Sequence, residues 1–399
     1  MKRHYFIFAC SFFFSFGLNT MNFSLVFRLT DWFHFSPGQV GIFFALGQLF
    51  FFLGCNLYHR FGSAHEPAKV FYSAALVAFV ASLPLGYIPV PFLFYGAYWI
   101  LLFSTGFFWP PVMAYLTEGL SAKEMGRQLS LFNRSWMASN IIAPLLAGAL
   151  YQWNSWANFL VLNICFLAVL ILLRLMKRSE TSVYLTHGGP EPSSPAESPP
   201  APQDLDKRFD LYRYRGWISG LCAATCVGVL GYIFPLHIRD GLGYTESSAG
   251  LMLFLRCVAS FIGFALLARF TFWHFNRRWF SILQGGMIIV FFLFLLAGSQ
   301  LTLYFGIAVI FGFFHSGFYT NSIFYSSATG RHPKKNLAVH EICMAIGSAA
   351  GSAGGGFFYQ NFHFAGVCLA LIAFLGVGLG LMALFNRREL RYHTPKPAP

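Results

Sequence analysis

Residues 31–62 read DWFHFSPGQVGIFFALGQLFFFLGCNLYHRFG, and residues 240–271 read DGLGYTESSAGLMLFLRCVASFIGFALLARFT. Shifted by 209, Asp31, Gly41, Leu46, Phe52, Gly54, Leu57, Arg60 and Phe61 fall on Asp240, Gly250, Leu255, Phe261, Gly263, Leu266, Arg269 and Phe270. Both copies open on an acid, run apolar for the roughly 20 residues that cross a hydrocarbon layer, and close on Arg-Phe. Further along, Gly106-Phe107-Phe108 matches Gly312-Phe313-Phe314 at a shift of 206, and Tyr151-Gln152 matches Tyr359-Gln360 at a shift of 208. Places matched in order at a nearly constant offset identify two related halves.

The composition is that of a membrane protein. Of 399 residues, 56% are hydrophobic and 10% charged, whereas a soluble domain carries about 25% charged residues. A water-facing surface cannot be built from so few charges. The 50 Phe suit helix faces turned to lipid, and the 38 Gly suit close helix crossings. All eight cysteines (Cys10, Cys55, Cys165, Cys222, Cys226, Cys257, Cys343 and Cys368) lie in or beside apolar runs without CxxC or Cys/His spacing, and read as small buried hydrophobes. Lys2-Arg3-His4 and the apolar run behind it imitate a secretory signal, but no small-residue cleavage site follows. The segment therefore reads as a first span.

Spans are expected near 5–28, 37–58, 70–89, 93–116, 129–151, 155–175, 216–236, 247–268, 279–298, 302–324, 337–359 and 364–385, about twelve in all. An even number places both termini on one side of the membrane. All 27 Lys and Arg except Arg28, Arg134, Arg239 and Arg256 fall on that same side, which the positive-inside rule makes cytoplasmic. The net charge of +13 is then topology and anionic-lipid affinity, and nucleic-acid binding is not needed to explain it. Between the sixth and seventh spans, residues 188–202 read GGPEPSSPAESPPAP, which neither buries a core nor holds a helix. The expected fold is all-α, with a six-helix bundle over 1–176, a cytoplasmic linker over 177–214, a second pseudo-symmetric bundle over 215–386 and a tail over 387–399. Two parallel repeats of this kind are the architecture of alternating-access carriers, with the site at the repeat interface.

Two local motifs carry a family resemblance that covers essentially the whole chain. Asn56-Leu57-Tyr58-His59-Arg60-Phe61-Gly62 is similar to the Gly-x-Leu-x-Asp-Arg-x-Gly-Arg loop of the major facilitator superfamily, with Leu57, Arg60 and Gly62 in register. It departs from that pattern at Cys55, His59 and Ser63. In the fifth span, Ser139, Ala143, Pro144, Ala147 and Gly148 resemble the Gly-x-x-x-Gly-Pro-x-x-Gly-Gly pattern of the proton-antiporter branch, softened from Gly to Ser and Ala. The Arg which that branch carries ahead of Gly106 is missing. The resemblance implies a cavity built from the first, fourth, seventh and tenth helices, and a contact between the loop motif and the start of the eleventh.

Candidate residues follow from cost and position. Arg256 stands near the middle of the eighth span, where a charged side chain costs about 2.5–3.5 kcal/mol even on permissive insertion scales. Its counterpart at the 209 shift is Gly47, so the repeat does not require it. A guanidinium there is suited to a carboxylate or phosphate, which it meets as a bidentate fork, or else it is satisfied by helix carbonyls. Arg134, close to the start of the fifth span, is expected to snorkel to the interface. Glu341, preceded by His340, is the acid best placed inside a span. It is expected to cap its helix, to pair with His59 or Arg60 across the cytoplasmic gap, or to carry a coupling proton. Glu118 joins this coupling or gating set. Asn19, Asn22, Trp109, Tyr115, His315, Tyr319 and Asn321 are further candidates for lining the substrate site, His315 occupying the slot matched by Trp109. Gly347, Gly351 and Gly355, matched by Ser139, Ala143 and Ala147, form a stripe at four-residue spacing. That stripe is either static packing or a moving contact between halves.

No Walker loop, HExxH, GxSxG or dinucleotide fingerprint stands in a context that gives it chemistry, and no metal or cofactor is expected. The expected function is secondary transport of a small molecule, an organic anion favoured, driven by an ion gradient with H+ as the coupling ion. The protein is expected to be a monomer in a plasma (inner) membrane. The alternatives are an efflux antiporter for neutral or cationic compounds and, in a different class, a membrane lipid-handling enzyme or scaffold.

Overall fold

The computed structural model describes residues 2–117, 122–187, 207–328 and 333–393. Among these every regular element is helical. They are α1 (Lys2–Phe33), α2 (Pro37–Phe61), α3 (Pro67–Ser82), α4 (Pro91–Thr117), α5 (Ala122–Trp153) and α6 (Ala157–His187), then α7 (Lys207–Leu236), α8 (Glu246–Arg269), α9 (Arg277–Leu296) and α10 (Leu301–Ala328). The last helical run, Pro333–His393, is 61 residues long and is broken at His363, whose φ of 54° is non-helical. At about 1.5 Å per residue an unbroken helix of that length would be roughly three bilayer cores long. The break divides it into α11 (333–362) and α12 (364–393).

Ten described runs are long and apolar enough to span a membrane, the α11–α12 run counting as one of them. Helix α5 is not among the ten, because Lys123, Glu124, Arg127, Asn133, Arg134 and Asn140 dilute its first two thirds. Its position between spanning neighbours and its packing along α1 identify it as a polar-faced member of the bundle. With α5 included and the last run divided, the described helices are the expected twelve. Proline marks several starts: Pro37, Pro67 and Pro91 each open a helix, where the missing N–H costs nothing. Pro235 lies near the end of α7, which continues into a single π turn, His237–Gly241.

Some boundaries differ from the sequence reading. Helix α1 runs on to Phe33, so Arg28, one of the four cations excepted from the cytoplasmic side, is a buried helix residue. Its guanidinium donates to the Gly86 carbonyl at 3.0 Å and lies 3.0 Å from the centre of the Trp32 ring. Helices α6 and α7 both extend into the segment expected as linker, and residues 188–206 lie outside the described residues.

The chain divides into two compact units. The first comprises the described residues of Met1–His34, Leu46–Pro199 and Thr245–Gly250; the second comprises those of Phe35–Ala45, Pro200–Tyr244 and Leu251–Pro399. The first turns of α2 are thus packed in the second unit and the first turn of α8 in the first. In the second unit the Gly38 N–H donates to Gln360 Oε1 at 3.1 Å, and Gly41 lies so close to Ser352 and Gly356 that a Cβ would collide with the Ser352 carbonyl. In the first unit Ser247 Oγ donates to Gln152 Oε1 at 2.5 Å, and Gly250 lies just as close to Pro144 and Gly148. The repeat-matched pairs Gly41/Gly250 and Gln152/Gln360 therefore do the same work in each unit. That correspondence is the physical content of the sequence repeat.

The two small-residue stripes take on separate duties. Gly347, Gly351 and Gly355 lie against Leu221, Ala224, Thr225, Val229 and Ile233 of α7, which is the packing alternative of the two the spacing offered. Ser139, Ala143 and Ala147 are likewise fully buried. The close approach to the first turns of α2 and α8 is made one position further on, by Ser352/Gly356 and Pro144/Gly148. A one-residue step turns a helix face by about 100°, enough to send neighbouring stripes to different partners.

Candidate functional site

In the second unit, α8 and α10 cross at glycine. A Cβ at Gly312 would meet the Arg256 carbonyl and lie 2.7 Å from Ala259 Cβ, and one at Gly263 would overlap Ser316. Their matched positions in the first unit, Gly106 and Gly54, form the same kind of crossing between α4 and α2. This close approach brings side chains from the two helices together. Ser260 Oγ lies 3.1 Å from the Gly312 carbonyl and 3.4 Å from His315 Nδ1. Arg256, Ser260 and Phe264 follow one another at four-residue spacing on α8, so they share a face. His315 and Tyr319 do the same on α10, with ring centroids 6.4 Å apart, and the Phe264 ring is 5.8 Å from that of Tyr319.

Arg256 is half-buried. Its Nη2 reaches only the thiol of Cys257, at 3.1 Å, and its Nε is enclosed with no hydrogen-bond partner. Sulfur is a weak acceptor. Among the described residues no carboxylate is within salt-bridge distance of it. The Nε of Arg28 is likewise enclosed without a partner, but the rest of that guanidinium has a carbonyl, an aromatic face and the nearby charge of Asp31. The positive charge of Arg256 reaches His315. At the matched position in the first unit, a side chain at Gly47 would run into Tyr98 and Leu102, so that site has no room for an arginine.

The line of polar groups continues into α11. The Tyr319 ring stands 5.7 Å from His340 in an edge-to-face arrangement, and the charge of Glu341 acts on Tyr319. His340 is buried and Glu341 exposed, although they are neighbours in sequence. Asn321 is fully buried, with neither side-chain polar atom hydrogen-bonded. It lines no open surface and belongs to the packed side of α10. Arg256, His315, Tyr319, His340 and Glu341 are thus brought into one neighbourhood.

The first unit holds the remaining candidates. Asn19 Nδ2 donates to Asn140 Oδ1 at 2.5 Å, and the Tyr98 hydroxyl is 3.4 Å from Asn22 Oδ1. Trp109 is half-buried and edge-on to Phe14 and Phe132, while Tyr115 is edge-on to Phe71. Arg134 is exposed and lies twelve residues into α5, deeper along its helix than the sequence reading placed it. His59 and Arg60 are exposed at the end of α2, where the Arg60 guanidinium lies 5.3 Å from the Phe61 ring centre. Glu118 lies outside the described residues.

Several partners escaped the sequence reading. Ser260 was legible as the residue one turn beyond Arg256. Tyr98 and Asn140 gave no signal, because nothing in a single sequence says which face of α4 or α5 meets α1. His237 was missed altogether: it sits in the π turn with Nε2 3.0 Å from the Tyr304 hydroxyl, Nδ1 3.5 Å from that of Tyr359, and its ring stacked 3.7 Å from Phe364. A histidine two residues after a helical proline was the available clue, since π turns mark functional or irregular sites.

Twelve described helices in two sequence-related halves define a multi-pass membrane protein. The chain belongs to the major facilitator superfamily, whose family model matches residues 7–336 and 216–399. Among solved structures, a bacterial homolog of the human lysosomal transporter Spinster, inward-facing and unoccupied, is similar at a TM-score of 0.74 with 13% identity, covering 99% of each chain. A bacterial homologue of the iron transporter ferroportin gives 0.70 with 14% identity over 96% of this chain and 98% of that one. A POT family transporter in complex with 5-aminolevulinic acid gives 0.73 with 11% identity over 98% and 96%. No curated protein sequence matches the chain. At these identities the likeness establishes the fold, and membership of the superfamily carries the transporter class.

Proposed function

We propose that this protein is a secondary carrier for a small organic anion, driven by a proton gradient and not by a chemical reaction of its own. In this reading it works by alternating access as a monomer with both termini cytoplasmic, its two six-helix bundles being 1–176 and 215–386, and Arg256 contributes to the substrate site. The observation that carries the proposal is the state of Arg256: a guanidinium ten residues into α8, about 15 Å along it, without a carboxylate partner and with an enclosed Nε unsatisfied. A cation kept at that depth costs several kcal/mol unless something offsets it, and a transported carboxylate or phosphate does so in every cycle. His315, Tyr319 and Ser260 supply neutral donors and acceptors beside it, which suits orientation of the remainder of the substrate.

Reconstitution tests the class and the substrate together. Purified protein in liposomes is expected to show saturable uptake of an organic anion that is stimulated by the same anion trapped inside, and no unitary conductance. Candidates come from a thermal-shift screen of metabolites, because a ligand at 100 times its dissociation constant stabilises by about 2.7 kcal/mol. A screen in which only neutral or cationic compounds stabilise the protein would sink the anion reading while leaving the carrier reading standing.

A further inference from the structure

We propose that His340 is the proton-binding group of this carrier, loaded together with the anion held at Arg256; the inference rests on the anion reading above. His340 is 1% exposed on α11. Its Nδ1 is 2.7 Å from Ser322 Oγ, and its Nε2 is enclosed with no hydrogen-bond partner. With Nδ1–H donating to Ser322, Nε2 presents an unused lone pair. A proton can add there without breaking the bond that fixes the ring. The other histidine buried among the described residues differs, because both nitrogens of His237 face tyrosine hydroxyls, at 3.0 and 3.5 Å. His315 Nδ1 already engages Ser260, in the immediate field of Arg256.

The surroundings link the proton to the anion. From α10, Tyr319 and Ser322 face the imidazole; from α7, Gly220 packs over it, its Cβ position 3.7 Å from Nδ1. Arg215, further toward the start of α7, is held by Asn386. On α11 itself Glu341 is exposed, and its charge acts on Tyr319. An imidazolium at His340 adds a second positive charge to the line that runs through Tyr319 and His315 to Arg256. An anion at Arg256 lowers the cost of that charge, and by reciprocity the proton raises affinity for the anion. The proton comes from water and returns to it, and only the Nε2–H bond forms and breaks.

Sulfate is a suitable probe because it stays a dianion from pH 5.5 to 8, so any pH dependence belongs to the protein. In detergent, with chloride of equal ionic strength as the control, sulfate is expected to stabilise the wild type with an affinity that rises about tenfold per pH unit as pH falls across the titration, the limit for one linked proton. His340→Asn, which retains a group at the Nδ1 position for Ser322, is expected to bind sulfate with no pH dependence. Glu341→Gln is expected to keep that dependence, and Arg256→Gln to lose sulfate binding at every pH. Persistence of the dependence in His340→Asn, or its loss in Glu341→Gln, would overturn the assignment of the proton to His340 while sparing the anion site. Absence of sulfate binding to the wild type at all pH values overturns the anion reading itself, and this inference with it. If His340→Asn does not elute as a folded monomer, Ser322→Ala replaces it: a shifted pH midpoint of sulfate binding supports the proposal, and an unmoved midpoint overturns it.

Discussion

Arg256→Gln is expected to abolish binding of the transported anion while the protein still folds, elutes as a single species and keeps its thermal stability. The neutral amide removes a charge that has no carboxylate partner among the described residues, so no opposite charge is orphaned. What is lost is a charge-assisted bidentate interaction, about twice as strong as a neutral hydrogen bond. Truncating one partner of a desolvated charge pair costs about 2–5 kcal/mol, which is a factor of roughly 30 to several thousand in affinity. Arg256→Lys should recover part of this, because the charge returns but the planar fork does not. Equilibrium binding and counterflow in liposomes are the measurements. Unchanged affinity in Arg256→Gln would instead make Arg256 a structural residue satisfied by its helix.

The second large effect is structural. Gly351→Val is expected to prevent assembly of a stable carrier, because even a Cβ at that position would be driven into the backbone of Thr225 on α7. Overpacking a filled core costs about 1–3 kcal/mol where side chains can shift, and here the obstacle is main chain. The same crossing is tight from the other side, where a Cβ at Gly228 would lie 2.5 Å from the Ser348 carbonyl oxygen. Gly354, three residues further along α11, is the control. Nothing lies within 4 Å of its Cβ position, so Gly354→Ala should stay within about 1 kcal/mol of the wild type, the difference in helix propensity. Thermal unfolding in detergent, read with size-exclusion, separates the two. A Gly351→Val protein as stable as Gly354→Ala would show that the α7–α11 crossing can open without penalty.

These predictions differ in where they were legible. Arg256 stood out in the sequence because charge is expensive in a bilayer and the repeat-matched Gly47 shows that the fold does not need it. The lack of an acidic partner was legible as well, since Glu246 lies ten residues away and Glu341 enters from the opposite face; which neutral groups α10 and α11 bring near was not. The GxxxGxxxG stripe was equally plain. Its partner was not: of the two alternatives, packing or a moving contact, the stripe packs against α7, and Ser352 and Gly356 one residue along approach the first turn of α2.

The sequence by itself determined the number and order of spans, the side of the membrane expected for the termini, and the relatedness of the halves. Those properties follow from length, apolarity and charge counted along one dimension, where lipid leaves the backbone no alternative to helix. Even the break at His363 was anticipated, as two spans instead of one, because a single helix of 61 residues would overshoot the bilayer. Tertiary structure alone decided which faces meet. His340 and Glu341 are consecutive, yet one is buried against Ser322 and the other exposed. Successive residues on a helix point about 100° apart, and which direction is interior is fixed only when α7 and α10 have packed around α11.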